Sequence, residues 1–310
     1  MEVAEMAKMK HKTKKYQRFH RVAYLLIIPF VATFLIFSVY PVLRTLYLSF
    51  MNYKGFGDPK YVGLDNYARV IGDKFFWRSL ANTIRIWSVN IVLQLGIAFL
   101  LTIVFSDVKY RVKGLGFFRA VFYLPNIIAA TSIAFLFKTL LDWKYGSVNQ
   151  LLALLGINAG NPINWLGDIK VAPYVVAVIN AWIWFGNSFI MLMAGVQGIS
   201  RDYYEAAAID GAGRWKIFGK ITLPLLKPIM LYVAITSLIG GLQMFDIPYL
   251  ISGGTAGQPS GKLQTVIMYL YKFGFETRQV GYAAAIAYML FFIILVVSVI
   301  QYKAMYRKED

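Results

Sequence analysis

YEAAAIDGAGRWKIFGKITLPLLKP, residues 204–228, gathers Glu205, Asp210, Arg214, Lys216, Lys220 and Lys227 among small residues and ends in two prolines, Pro224 and Pro228. Long apolar runs flank it on both sides. A polar, glycine-hinged, proline-stopped segment between two hydrophobic helices takes its meaning from the side of a membrane it faces. The reading of the whole chain therefore turns on the spans around it.

Of the 310 residues, 58% are hydrophobic and 15% charged. Soluble domains carry about a quarter charged residues, so this balance points to a multi-span membrane protein. The chain has no cysteine, which excludes disulfides, thiol chemistry and cysteine-ligated metal. His11 and His20 both fall in the basic N-terminal tail, so no histidine-built active site, metal centre or cofactor is expected. The formal charge of +17 has a simpler cause than nucleic acid, because basic excess in membrane proteins collects in cytoplasmic loops.

A helix needs roughly 20 apolar residues to cross the hydrocarbon core. Six runs qualify: Val22–Leu43, Ile86–Phe105, Ala120–Leu141, Val171–Val196, Ile229–Ile251 and Tyr282–Tyr302. The expected fold is an all-α membrane protein of six transmembrane helices. The tail KMKHKTKKYQRFHR is strongly basic, so it is placed in the cytoplasm. Lys109, Arg111, Lys113, Arg119, the segment 204–228 and the C-terminal KAMYRKED then lie on the same side, with most of the 32 lysines and arginines. Both termini are expected to be cytoplasmic. The organisation is a basic tail over 1–21, a six-span domain over 22–303 and a short tail over 304–310. The outer connections carry turn signals and an interfacial aromatic run, Phe75, Phe76 and Trp77. No internal repeat is visible, which weakens any carrier whose two halves lie in one chain and suggests half of an assembly.

Within the opening stretch, DYYEAAAIDG reads as a short helix, with Asp202 supplying a charge and a possible cap at its start. Gly211 and Gly213 permit the tight geometry that ends it. RWKIFGKITL resumes as an amphipathic stretch until Pro224 and Pro228 redirect the chain. Physics alone leaves two readings even: a solvated connection, or a compact helical surface to which a partner docks.

Glu205-Ala206-Ala207, three residues, Gly211, nine residues, then Ile221-x-Leu223-Pro224 resembles the EAA loop of ABC-importer permease subunits. YVGLDNYARVIGDKFFWRSLANT, YGSVNQLL, INWLG, FDIPYLISGG and GYAAAIAYMLF extend the resemblance to the short, six-span carbohydrate permeases of the MalF type, over nearly the whole chain except the basic tail. The resemblance implies a type I ABC-importer permease fold in a bacterial or archaeal cytoplasmic membrane. It also implies an ATP-driven, binding-protein-dependent importer for a sugar, oligosaccharide or glycerol-phosphate-like solute. Its partners would be two ATP-binding subunits, a second homologous permease and an extracytoplasmic solute-binding protein. In such permeases the loop, here at about residues 200–228, couples to the ATPase. Glu205 would pair with a basic group there, Ala206 and Ala207 would permit close approach, and Gly211 would make the turn. Asp210, Leu223 and Pro224 complete the motif.

The chain itself is not expected to hydrolyse ATP. Its nearest approach to a phosphate-binding loop, GGTAGQPSGKL, has Ala256 at the first glycine position and Leu263 at the Ser/Thr position. Polar residues inside spans are costly and mark either helix contacts or a solute path. Asn90 and Gln94 lie one turn apart; Asn180, Trp184 and Asn187 share one helix face, as do Thr236, Gly240 and Gln243. Amides and a flat tryptophan are the chemistry that a sugar needs, so these faces are expected to line the path. Asp246 is expected at the outer boundary, in contact with solvent or a binding protein. The alternatives are an ABC importer for a polyamine or amino acid, and, from another class, an ion-coupled carrier working alone.

Overall fold

The computed structural model describes residues 24–106, 113–158 and 160–306. The basic tail 1–21, Lys109, Arg111 and residues 307–310 lie outside the described residues. Among the described residues the regular secondary structure is helical apart from a two-stranded antiparallel ribbon, β1 (Met51–Asn52) and β2 (Lys60–Tyr61), paired through Met51 and Tyr61.

Among the described residues five helices are long and apolar enough to cross a membrane: α1 (Tyr24–Ser49), α3 (Lys74–Phe105, preceded by the short α2, Asp65–Gly72), α7 (Ala172–Gln197), the broken pair α11 (Lys227–Leu242) and α12 (Asp246–Ser252), and α14 (Val280–Tyr306). The sixth crossing, expected as one helix over Ala120–Leu141, is two: α4 (Leu115–Ile127) and α5 (Ala130–Leu140), bent by 89°. Ile128 and Ala129 between them are extended, with ψ of 137° and 133°. Pro125 sits at the last turn of α4 and lacks the N–H that would continue its ladder. A backbone break at membrane depth is tolerated where it borders a cavity, as this one does.

The centre is α3 packed along α7, with α4 against α7 and α5 against α12. Small residues set these distances. A Cβ at Gly186 would stand 1.8 Å from the carbonyl oxygen of Phe122, so α4 and α7 touch backbone to backbone there. Ile86, Val176, Ile179 and Ile183 fill the α3–α7 core. Phe76, expected at the interface, is instead fully buried, while Phe75 and Trp77 remain outside. The reason is periodicity: the helix α3 begins at Lys74, and Phe76, Leu80 and Thr83 follow one inward face.

The outer connections are folded. Asn149 of α6 (Ser147–Leu154) accepts from the Trp165 indole at 3.0 Å and donates to the Ile163 carbonyl at 2.9 Å. The stretch 253–265 lies against α3, where Asn82 donates to the Gly261 carbonyl at 2.8 Å and the Val266 N–H reaches Thr83 Oγ1 at 3.0 Å. A Cβ at Gly257 would meet the backbone nitrogen of Gln264 at 2.1 Å, so this loop closes on itself. Asp73 caps α3 through the Phe75 N–H and also accepts from the hydroxyls of Tyr269 and Tyr282, tying α3 to α13 (Val266–Tyr271) and α14.

Candidate substrate pathway and coupling loop

A cavity of about 620 Å3 opens between α3, the α4–α5 break, α7 and the α11–α12 turn. It is lined by Asn90 and Gln94 from α3, Asn180, Trp184 and Asn187 from α7, and Thr236, Gly240 and Gln243 from α11 and its end. The structure thus gathers into one space the faces that the sequence nominates separately. Their individual states differ. Asn90 and Gln94 are buried, and Gln94 donates to Ser188 Oγ at 2.7 Å, so they join α3 to α7 as well as walling the cavity. Asn90 Oδ1 is buried with no hydrogen-bond partner among the described residues. Asn180 donates back to the Val176 carbonyl at 2.9 Å. Trp184 lines the cavity while remaining 46% exposed.

On α11 the two adjacent glycines have opposite surroundings. A Cβ at Gly241 would strike the Trp87 ring at 1.9 Å, whereas one at Gly240 would meet nothing within 4 Å. Gly241 is therefore a packing glycine and Gly240 a space-keeping one. Helix α11 ends at Leu242, with Gln243 as its cap residue and Phe245 twisted to φ −133° before α12 begins. The expected continuous fifth span is thus interrupted, and the interruption turns Gln243 and Asp246 into the cavity. Asp246, expected at the outer boundary, lines the same space, as do Asn126 and Tyr232. Asn126 is a polar residue near the end of α4, and the bend that follows brings it here. Nothing in the pattern signals Tyr232.

The segment after α7 forms α8 (Arg201–Ile209). Its cap is Ser200, whose Oγ accepts from the Asp202 N–H at 3.3 Å; Asp202, expected as a possible cap, stands two residues later, inside the first turn. Gly211 takes the left-handed φ of +70° and Ala212 N–H returns to the Ala207 carbonyl at 2.9 Å, closing the helix. Glu205, Ala206 and Asp210 face outward. Ala207, expected to permit a partner's approach, is instead buried beside Tyr204, whose hydroxyl lies 3.3 Å from Thr222 Oγ1. Ala207 therefore lets α8 lie close to its own chain. Beyond α9 (Arg214–Ile217) the helix widens into a π turn over Phe218–Thr222 before α10 (Leu223–Leu225). Pro224 offers no N–H to the preceding turn, and the widened register accommodates it. Leu223 is half-buried and Pro224 exposed.

Residues 95–304 match the family described as the binding-protein-dependent transport system inner membrane component. The chain is 35% identical to the lactose transport system permease protein LacF of Rhizobium radiobacter, over 91% of this chain and 93% of that protein. It is 32% identical to the trehalose/maltose transport system permease protein MalF of Thermococcus litoralis, over 91% and 93%. It is also 32% identical to the sulfoquinovosyl glycerol transport system permease protein SmoG of Agrobacterium fabrum, over 93% and 91%. A crystal structure of a bacterial ABC transporter that imports the acidic polysaccharide alginate contains a chain of similar fold. Its TM-score is 0.79 at 22% identity, over 96% of this chain and all of that one. By the match of its sequence and its fold, the chain belongs to the inner-membrane permease components of binding-protein-dependent ABC importers.

Proposed function

We propose that this chain forms one side of the path by which an ATP-driven importer takes a sugar or oligosaccharide across a bacterial or archaeal cytoplasmic membrane. An extracytoplasmic binding protein delivers the solute to the cavity. The loop at about residues 200–228, on the cytoplasmic side with both termini, transmits closure from two ATP-hydrolysing subunits. The observation that carries the reading is the cavity itself, where neutral amides and an open tryptophan face one space of about 620 Å3. A sugar leaving water must regain its hydrogen bonds and find a flat apolar surface for its ring; this lining offers both. Relatives named for lactose, trehalose/maltose and sulfoquinovosyl glycerol support a carbohydrate over a polyamine or an amino acid. Glu205, Ala206, Asp210, Gly211, Leu223 and Pro224 present the coupling surface, and Ala207 packs beneath it.

The test is uptake by vesicles holding the whole complex. Transport should require enclosed or added ATP on the side of the coupling loop and should ignore imposed proton or sodium gradients. An unpaired polar group in the path costs about 1–3 kcal/mol. Gln243→Leu should therefore cut uptake by roughly 10–100-fold. Uptake driven by an ion gradient without ATP would overturn the proposal.

A further inference from the structure

The cavity is polar yet nearly without charge. Among the residues that line it, Asp246 is the one ionisable acid, and no lysine, arginine or histidine joins it. Its carboxylate is exposed to the cavity, and among the described residues no side chain donates to it and no cation pairs with it. The remaining polar groups are amides and hydroxyls. One of those hydroxyls, on Thr236, already donates to the Tyr232 carbonyl at 2.8 Å and presents only lone pairs.

We propose that Asp246 makes this half of the path selective for solutes without negative charge: neutral sugars pass, and anionic sugars and phosphate-bearing solutes are excluded. The inference rests on the cavity's being the solute path. An ionised carboxylate is an acceptor only, and its two oxygens take charge-assisted hydrogen bonds from neighbouring sugar hydroxyls. The same carboxylate repels a uronate, sulfonate or phosphate. That repulsion is stronger in a cavity walled by protein and lipid than in water, since it scales inversely with the effective dielectric constant. Among the described residues that line the cavity there is no cation to offset it. The chain's relatives serve solutes as different in charge as lactose and sulfoquinovosyl glycerol, so family membership alone leaves this choice open. Of the solutes expected from the sequence, neutral sugars and oligosaccharides then remain and glycerol-phosphate-like anions are excluded.

The absence of cysteine allows a direct measurement of the field. Gln243→Cys places a thiol on the same lining as Asp246. In vesicles with the full complex, it is exposed to three methanethiosulfonates of similar size bearing trimethylammonium, hydroxyl or sulfonate groups. Labelling is read on this chain alone after separation of the subunits. A nearby carboxylate slows all three reagents by raising the thiol pKa, and that effect cancels in the ratio of their rates. The cationic-to-anionic rate ratio should exceed that of a small free thiol by roughly tenfold, the expectation for a unit charge in a poorly screened cavity. Asp246→Asn should return the ratio to the free-thiol value, and Asp246→Glu should keep it high. A thiol that reacts with no charge preference, or prefers the sulfonate, overturns the inference and leaves the path intact. A thiol inert to all three reagents throughout ATP turnover overturns the path reading and the inference with it.

Discussion

Glu205 and Asp73 are two carboxylates in opposite surroundings. Glu205 is exposed on α8 and holds no hydrogen bond or ion pair among the described residues, so its removal should leave the fold alone. A charge-assisted hydrogen bond at a docked surface contributes about 1.5–3 kcal/mol. Glu205→Ala should thus lower ATPase retention during purification by roughly tenfold or more, with normal membrane insertion. Wild-type retention together with normal uptake would refute the coupling role. Asp73 works inside the chain. Burial raises its pKa, but the hydroxyls of Tyr269 and Tyr282 and the N–H groups of Phe75 and Phe76 outweigh that, and the net shift is downward. A carboxylate depressed in the folded state contributes stability above its unfolded pKa and loses it as pH falls through the folded value. The tie between α3, α13 and α14 should therefore survive mild acid and loosen only below the ordinary aspartate range. Tyr269→Phe removes one donor and should move that loss to higher pH. Thermal unfolding followed from pH 7 down to 3 would check the order.

At the scale of elements, glycines separate packing from space. Gly186 has a carbonyl oxygen where its Cβ would go, so Gly186→Leu should force α4 from α7 at a cost of about 1–3 kcal/mol or more and lower the yield of folded subunit. Gly240→Leu meets open cavity and should fold normally, retain the ATPase and block uptake. Normal transport by Gly240→Leu would mean that the solute goes elsewhere. The same contrast shows what the sequence could reveal. Both Gly240 and Gln243 sit on a legible polar face, and the long helices α3, α7 and α14 follow from apolar length. The 89° bend does not: Pro125 removes a ladder N–H and permits a kink, but neither it nor the alanine pair Ala129–Ala130 specifies the extended residues Ile128 and Ala129 that make the turn. The burial of Ala207 escapes for a related reason. The EAA motif names three adjacent residues, but a helix turns 100° per residue and cannot present all three to one partner.

For the whole molecule, the open side of the cavity sets the last expectation. Trp184 and Tyr232 line it while remaining 46% and 53% exposed, although tyrosine and tryptophan beside a polar path are poorly suited to bare acyl chains. A second helical wall facing them would complete the enclosure. A symmetric copy of this chain would place a second Asp246 across the same space, and two like charges in a poorly screened cavity repel. A different permease, free to bring neutral or donor groups opposite Asp246, avoids that conflict. A tag on this chain alone should therefore recover two ATPase subunits and one distinct permease in equal amount with it. Cross-linking through Trp184→Cys should join this chain to that permease and not to itself. A functional assembly holding two copies of this chain and no other permease would overturn the expectation. Selectivity against anions would then have to come from a pair of Asp246 carboxylates rather than from one.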